Sequence, residues 1–95
     1  MNDYEVLYIL PPDVEEEAKE GVIEKISKGI SDRGGKVEKL NKWGVRTLAY
    51  PIKRKKEGYY VLTEFQMDPK GISSFDESLR YNDQLLRHLL VRREK

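Results

Sequence analysis

The stretch Trp43-Gly44-Val45-Arg46-Thr47-Leu48-Ala49-Tyr50-Pro51-Ile52 decides how this chain of 95 residues folds. It closes a run beginning at Lys36 in which Val37, Leu40, Trp43, Val45, Leu48, Tyr50 and Ile52 carry bulk without helical spacing. That pattern predicts one long strand. Gly44 inside the run predicts a bulge, a bend or a close backbone approach. Pro51 has no N–H to give to a ladder, so the strand belongs at a sheet edge. An edge strand presenting Trp43 and Arg46 is a candidate docking surface.

Working outward, Lys53-Arg54-Lys55-Lys56-Glu57-Gly58 reads as a polar hairpin loop, and Tyr59 to Met67 alternates as the next strand. Upstream, Gly34-Gly35 ends a helix that opens at Asp13, read as an N-cap with Glu16 completing a capping box. Val14, Ala18, Val22, Ile26 and Ile30, with Ile23 beside them, form its apolar stripe. Before it, Tyr4 to Leu10 reads as a strand stopped by Pro11-Pro12. Downstream, Asp68-Pro69-Lys70-Gly71 breaks the third strand. Ile72, Phe75 and Leu79 then space a short helix from Ile72 to about Tyr81, and Leu85 to Arg92 reads as the last strand.

The order strand, helix, strand, strand, helix, strand is the α+β, ferredoxin-like split βαβ layout, expected as a single domain over 1–95. Right-handed crossovers place the first strand between the third and fourth, which leaves the second and fourth as edges. Pro51 agrees independently. Two helices cover only one face of a four-stranded antiparallel sheet. With Val6, Tyr8 and Phe65 beneath them, Leu7, Ile9, Tyr60, Leu62, Leu89 and Val91 are expected on the open side. An apolar face of that kind implies a partner.

Charged residues are 37% of the chain yet nearly cancel, at a net +1, so nucleic-acid binding has to come from their arrangement. Without Cys there are no disulfides, thiolate metal sites or Cys nucleophiles. No apolar run approaches the ~20 residues of a membrane span, and the N-terminus has no signal-type pattern, so a cytoplasmic protein is expected. A catalytic site needs a nucleophile with its base, paired carboxylates or a metal cluster. None is apparent, and no cofactor, metal or small-molecule substrate is expected. His88, the single His, reads as structural or surface, and Glu15-Glu16-Glu17 as a helix start. Gly34-Gly35 lacks the Lys and Ser/Thr of a phosphate loop. The basic residues Lys53, Arg54, Lys55 and Lys56, with Arg80, Arg87, Arg92 and Arg93, suit phosphate contact.

The phrase from Trp43 to Ile52, followed by the basic loop and Gly58-Tyr59-Tyr60, resembles the bacterial small-subunit ribosomal protein six family. Its flanks do as well: Tyr4-Glu5-Val6, Gly34-Gly35-Lys36-Val37, Leu79-Arg80 and Arg87-His88-Leu89-Leu90-Val91-Arg92 fall where that family has equivalent wording. The resemblance implies a non-catalytic ferredoxin-like domain of the ribosome. It would pair with small-subunit ribosomal protein eighteen and bind the central domain of the small-subunit (16S) ribosomal RNA. By position it implies Trp43, Arg46 and Tyr50 as contacts with the protein partner, and Lys53, Arg54, Arg80, Arg87 and Arg92 as contacts with RNA. The chain departs from the family at Thr47, where a second basic residue is common beside Arg46, and in stopping at Lys95 where many members continue with a variable tail. Two other readings remain open. One is a stand-alone module that stacks single-stranded RNA on Tyr8 or Tyr60; the other is a small-molecule-binding regulatory domain that dimerises through the open face.

Overall fold

A computed structural model describes residues 2–52 and 54–93, without the side chains of 49–52 and 55. Its elements are β1 (Asn2–Leu10), α1 (Glu16–Asp32), β2 (Lys36–Ile52), β3 (Lys55–Met67), α2 (Pro69–Arg80) and β4 (Arg87–Arg92). Every strand pairing is antiparallel, in the order β2-β3-β1-β4. The expected strand order is therefore present, with β2 and β4 at the edges.

The helices sit on one side because their apolar stripes meet one set of alternating strand residues. Val22, Ile23, Ile26 and Ile30 of α1 and Phe75 and Leu79 of α2 cluster with Tyr4, Val6, Tyr8 and Leu10 of β1 and Val61, Phe65 and Met67 of β3. Alternation puts those strand residues on a single face. The α1 stripe starts at Lys19 and not at Ala18, which is exposed. Lys19 is tolerated there because its stem is apolar and its ammonium lies 4.7 Å from the Tyr59 ring centroid. Beneath the helices, the Tyr8 and Thr63 hydroxyls are both buried, and burial holds the Tyr8 phenol far above its ordinary value.

Both helix starts differ from the sequence reading. Glu15 takes the N-cap position of α1 without a side-chain cap bond, while Asp13 lies in a preceding turn that follows the two prolines. The capping box of Asp13 and Glu16 is not formed. Asp68-Pro69-Lys70-Gly71, read as a break, is instead the first turn of α2. The Asp68 carboxylate accepts the Lys70 N–H at 2.9 Å, and Pro69 occupies a first-turn position where an N–H has no helical partner anyway.

The β2–β3 hairpin is longer and tighter than expected. Ile52 pairs with Lys55, so most of the stretch read as a loop is strand. β2 accommodates its length by irregularity, with register shifts at 37–39, 42–44 and 47–52. At the second shift Trp43 is the extra residue and Gly44, at φ +84°, supplies the left-handed conformation the bulge requires. A side chain fits spatially at Gly44, so its requirement is purely conformational. At Gly58 the requirement is space: a Cβ there would lie 2.3 Å from Ile9 Cγ2 and 3.3 Å from Leu48 Cδ2. Ile9 and Leu48 close over that position, leaving Ile9 only 7% exposed. Ile9 lies on the side opposite the helices, as the alternation predicts, but the returning hairpin covers much of it.

Candidate functional site

The face opposite the helices is set by the β1–β3 and β1–β4 registers. Leu7 pairs with Leu62 and Leu89, Ile9 with Tyr60 and Arg87, and Glu5 with Glu64 and Val91. Paired residues in an antiparallel ladder share a face, so these side chains form one surface beyond the helical layer. Leu89 and Val91 are exposed on it.

Its most structured part lies at the hairpin end. The bulge at Trp43 turns the indole beside Tyr60, and the two rings stack with centroids 6.3 Å apart and planes 9° apart. Trp43 remains 45% exposed. Arg46, paired opposite Gly58, joins these two rings as the lining of a shallow groove. A second groove of about 200 Å³ is lined by Leu7, Ile9, Tyr60, Arg87, His88 and Leu89. Tyr60 is common to both. Arg46 and Arg87 thus border one continuous aromatic and aliphatic surface, although the sequence reading assigned them to different partners.

The other forecast residues do not gather there. Arg54 is exposed in the turn of the hairpin with φ +68°. Lys53 and the side chain of Tyr50 lie outside the described residues. Arg92 is exposed near the chain end and pairs opposite Tyr4, which alternation assigns to the helix side. Arg80 is on α2, where its Nη2 donates to Asp76 Oδ2 at 2.9 Å. That pairing of residues four apart was legible in the sequence. Tyr8, proposed as a base-stacking ring, is 0% exposed beneath the helices and has no face to offer.

Asp76 also meets His88, whose Nε2 lies 2.9 Å from Oδ1. The bond to His88, with help from Arg80, holds the Asp76 carboxyl below its ordinary value, against an opposing effect of burial. His88 is accordingly a structural tie between β4 and α2. A carboxylate with a depressed pKa contributes stability above its unfolded value, near 4, and loses that contribution as pH falls through the folded value. Asp76→Asn is expected to cost about 1 kcal/mol at pH 7, kept small by solvent screening. The deficit relative to wild type should shrink as pH falls below about 4. Denaturant melts of both proteins at pH 7 and pH 3 check this; an undiminished gap at the lower pH contradicts it.

Among the described residues, no group of three or more His, Asp or Glu is placed to hold a metal, and no helix is long and apolar enough to cross a membrane. The strand order, the one-sided helical layer and an open face with stacked rings between two arginines define a ferredoxin-like binding domain.

Comparison with known proteins then narrows the class. Residues 3–92 match the family Ribosomal protein S6. The small ribosomal subunit protein bS6 of Desulforudis audaxviator is 45% identical over 94 residues, covering 99% of this chain and 100% of the relative. That of Desulforamulus reducens is 42% identical over 92 residues, 97% of each. The crystal structure of 30S ribosomal protein S6 from Thermotoga maritima superposes with a TM-score of 0.91 at 32% identity, covering 97% of this chain and 87% of that one. The chain belongs to the ribosomal protein S6 family. It is a structural component of the small subunit of the cytoplasmic ribosome and not an enzyme, and its setting there is among ribosomal RNA.

Proposed function

We propose that the protein binds the central domain of the small-subunit (16S) ribosomal RNA as half of a heterodimer with small-subunit ribosomal protein eighteen. The observation that carries this reading is the uncovered sheet face on which Trp43, Tyr60 and Arg46 form a prearranged cluster beside the Leu7, Ile9 and Leu89 groove. An apolar patch rimmed by cations suits a lasting macromolecular contact. Trp43, Arg46 and Tyr50 are assigned to the protein partner, and Lys53, Arg54, Arg80, Arg87 and Arg92 to RNA.

A net charge of +1 gives little general attraction for RNA, so the isolated protein should bind weakly and the pair tightly. Titrating a central-domain RNA fragment with the protein alone and with the partner tests this. Equal affinity in both cases would argue for a stand-alone single-strand-binding module, with Tyr60 as its stacking ring.

A further inference from the structure

We infer that Glu5, on an inner strand of the open sheet face, selects and orients the protein partner by receiving a lysine or arginine side chain from the segment of the partner that covers this face. The inference rests on the heterodimer reading above and adds to it a residue and a partner chemistry.

Position is the first observation. β1 lies between β3 and β4, and Glu5 stands on it opposite Glu64 on one side and Val91 on the other. The next residue of β1 on that face is Leu7, opposite Leu62 and Leu89. A half-buried carboxylate thus interrupts the apolar patch, and one of its cross-strand neighbours is another carboxylate. Like charges directly opposite each other in a ladder are destabilising. That placement works against the free fold.

The absence of a counter-charge is the second. Of the carboxylates at this end of the face, Asp3 accepts from Gln66 Nε2 at 3.0 Å, and Glu64 pairs with Arg93 at 3.4 Å. Glu5 makes no hydrogen bond or ion pair among the described residues. Lys39 stands opposite Glu64 on its far side, two strands and about 10 Å from Glu5.

The occupant follows from what covering this face costs. A segment packed on Leu7, Leu62 and Leu89 takes the adjoining Glu5 out of water, and a desolvated carboxylate without a counter-charge is strongly unfavourable. A segment that brings an ammonium or guanidinium to Glu5 avoids that penalty, and a wholly apolar or acidic one does not. RNA is excluded from this end for the same reason, since its phosphates meet an uncompensated carboxylate. Four residues along β3 from Glu64, about 13 Å away, Tyr60 stacks on Trp43 between Arg46 and Arg87. The face is acidic at one end and cationic at the other, so a partner segment carrying its cation to Glu5 fits in one direction only.

The test measures binding to small-subunit ribosomal protein eighteen by calorimetric titration, for wild type, Glu5→Gln, Glu5→Leu and, as a control with the same loss of charge, Glu24→Gln at an exposed position of α1. Glu5→Gln should weaken binding about thirtyfold or more. Glu5→Leu should weaken it at least as much, although it enlarges the apolar patch, because the cation of the partner is then buried unpaired. Both variants should melt no lower than wild type, since repulsion from Glu64 is removed. Glu24→Gln should match wild type. Unchanged or tighter binding by Glu5→Leu marks a wholly apolar occupant, and a lowered melting temperature of Glu5→Gln marks a structural carboxylate; either overturns the inference and leaves the heterodimer reading standing. Self-association of the wild-type protein alone in sedimentation, abolished by Glu5→Gln, would assign the face to a second copy and overturn it as well. Failure of wild type to bind the partner overturns both.

Discussion

Phe65→Ala is expected to destabilise the protein by about 3–5 kcal/mol, the range for deleting a fully buried aromatic side chain. Phe65 is 0% exposed and links three other elements, two through its ring and one through its strand register. It stacks on Tyr4 of β1 with centroids 5.8 Å apart, meets Phe75 of α2 edge-on at 5.4 Å, and pairs in register with Val37 of β2. Deletion removes apolar burial, leaves a cavity, and forfeits two aromatic contacts of about 0.5–1.5 kcal/mol each, already within that total. Against a typical stability of about 5–15 kcal/mol, such a loss is severe. Leu62→Ala, on the open face of the same strand, should cost far less because Leu62 is only partly buried. Urea melts of the two variants measure the difference. Similar small losses from both would contradict the assignment of the core to the helix side.

Trp43→Ala is expected to weaken binding of the ribosomal protein partner by about 2 kcal/mol or more, roughly thirtyfold, while the protein stays folded. Indole anchors dominate interfaces because they bury a large rigid surface at small entropic cost. Trp43 is held in place before any partner arrives, by the bulge at Gly44 and by its stack on Tyr60. The stability change should be much smaller than that of Phe65→Ala, since one side of the indole already faces solvent. Calorimetric titration with the partner gives the affinity, and circular dichroism confirms the fold. Unchanged affinity in a folded variant would remove the stacked pair from the interface.

The strand order, the edge position of β2 and the helical cover on one face were all legible, because they follow from periodicity, crossover handedness and Pro51. The bulge at Gly44 was legible for the same local reason. Local signals were also misread. Asp68-Pro69 is a helix start as readily as a strand stop, and Asp13 satisfied the capping pattern in sequence but sits two residues before the N-cap position, which Glu15 takes. The cationic run after Ile52 looked like loop because Lys and Arg are poor strand markers, yet a hairpin edge needs no apolar residue to pair. What depends on distant closure was not legible. Ile9 is buried only because Gly58 lets Leu48 reach it, and Lys19 enters the core only because Tyr59 offers a ring. On the open face, the sequence marked Trp43 and Arg46 but not their union with Tyr60, since a cross-strand neighbour depends on the register and its bulges.

The role proposed for that face is assembly with a partner on RNA, and one titration tests this most directly. A central-domain fragment of small-subunit ribosomal RNA is titrated with the protein, alone and with small-subunit ribosomal protein eighteen, at two salt concentrations. Tight, salt-sensitive binding only in the presence of the partner is the predicted result. Equal binding with and without the partner, or none in either case by a folded protein, would contradict it.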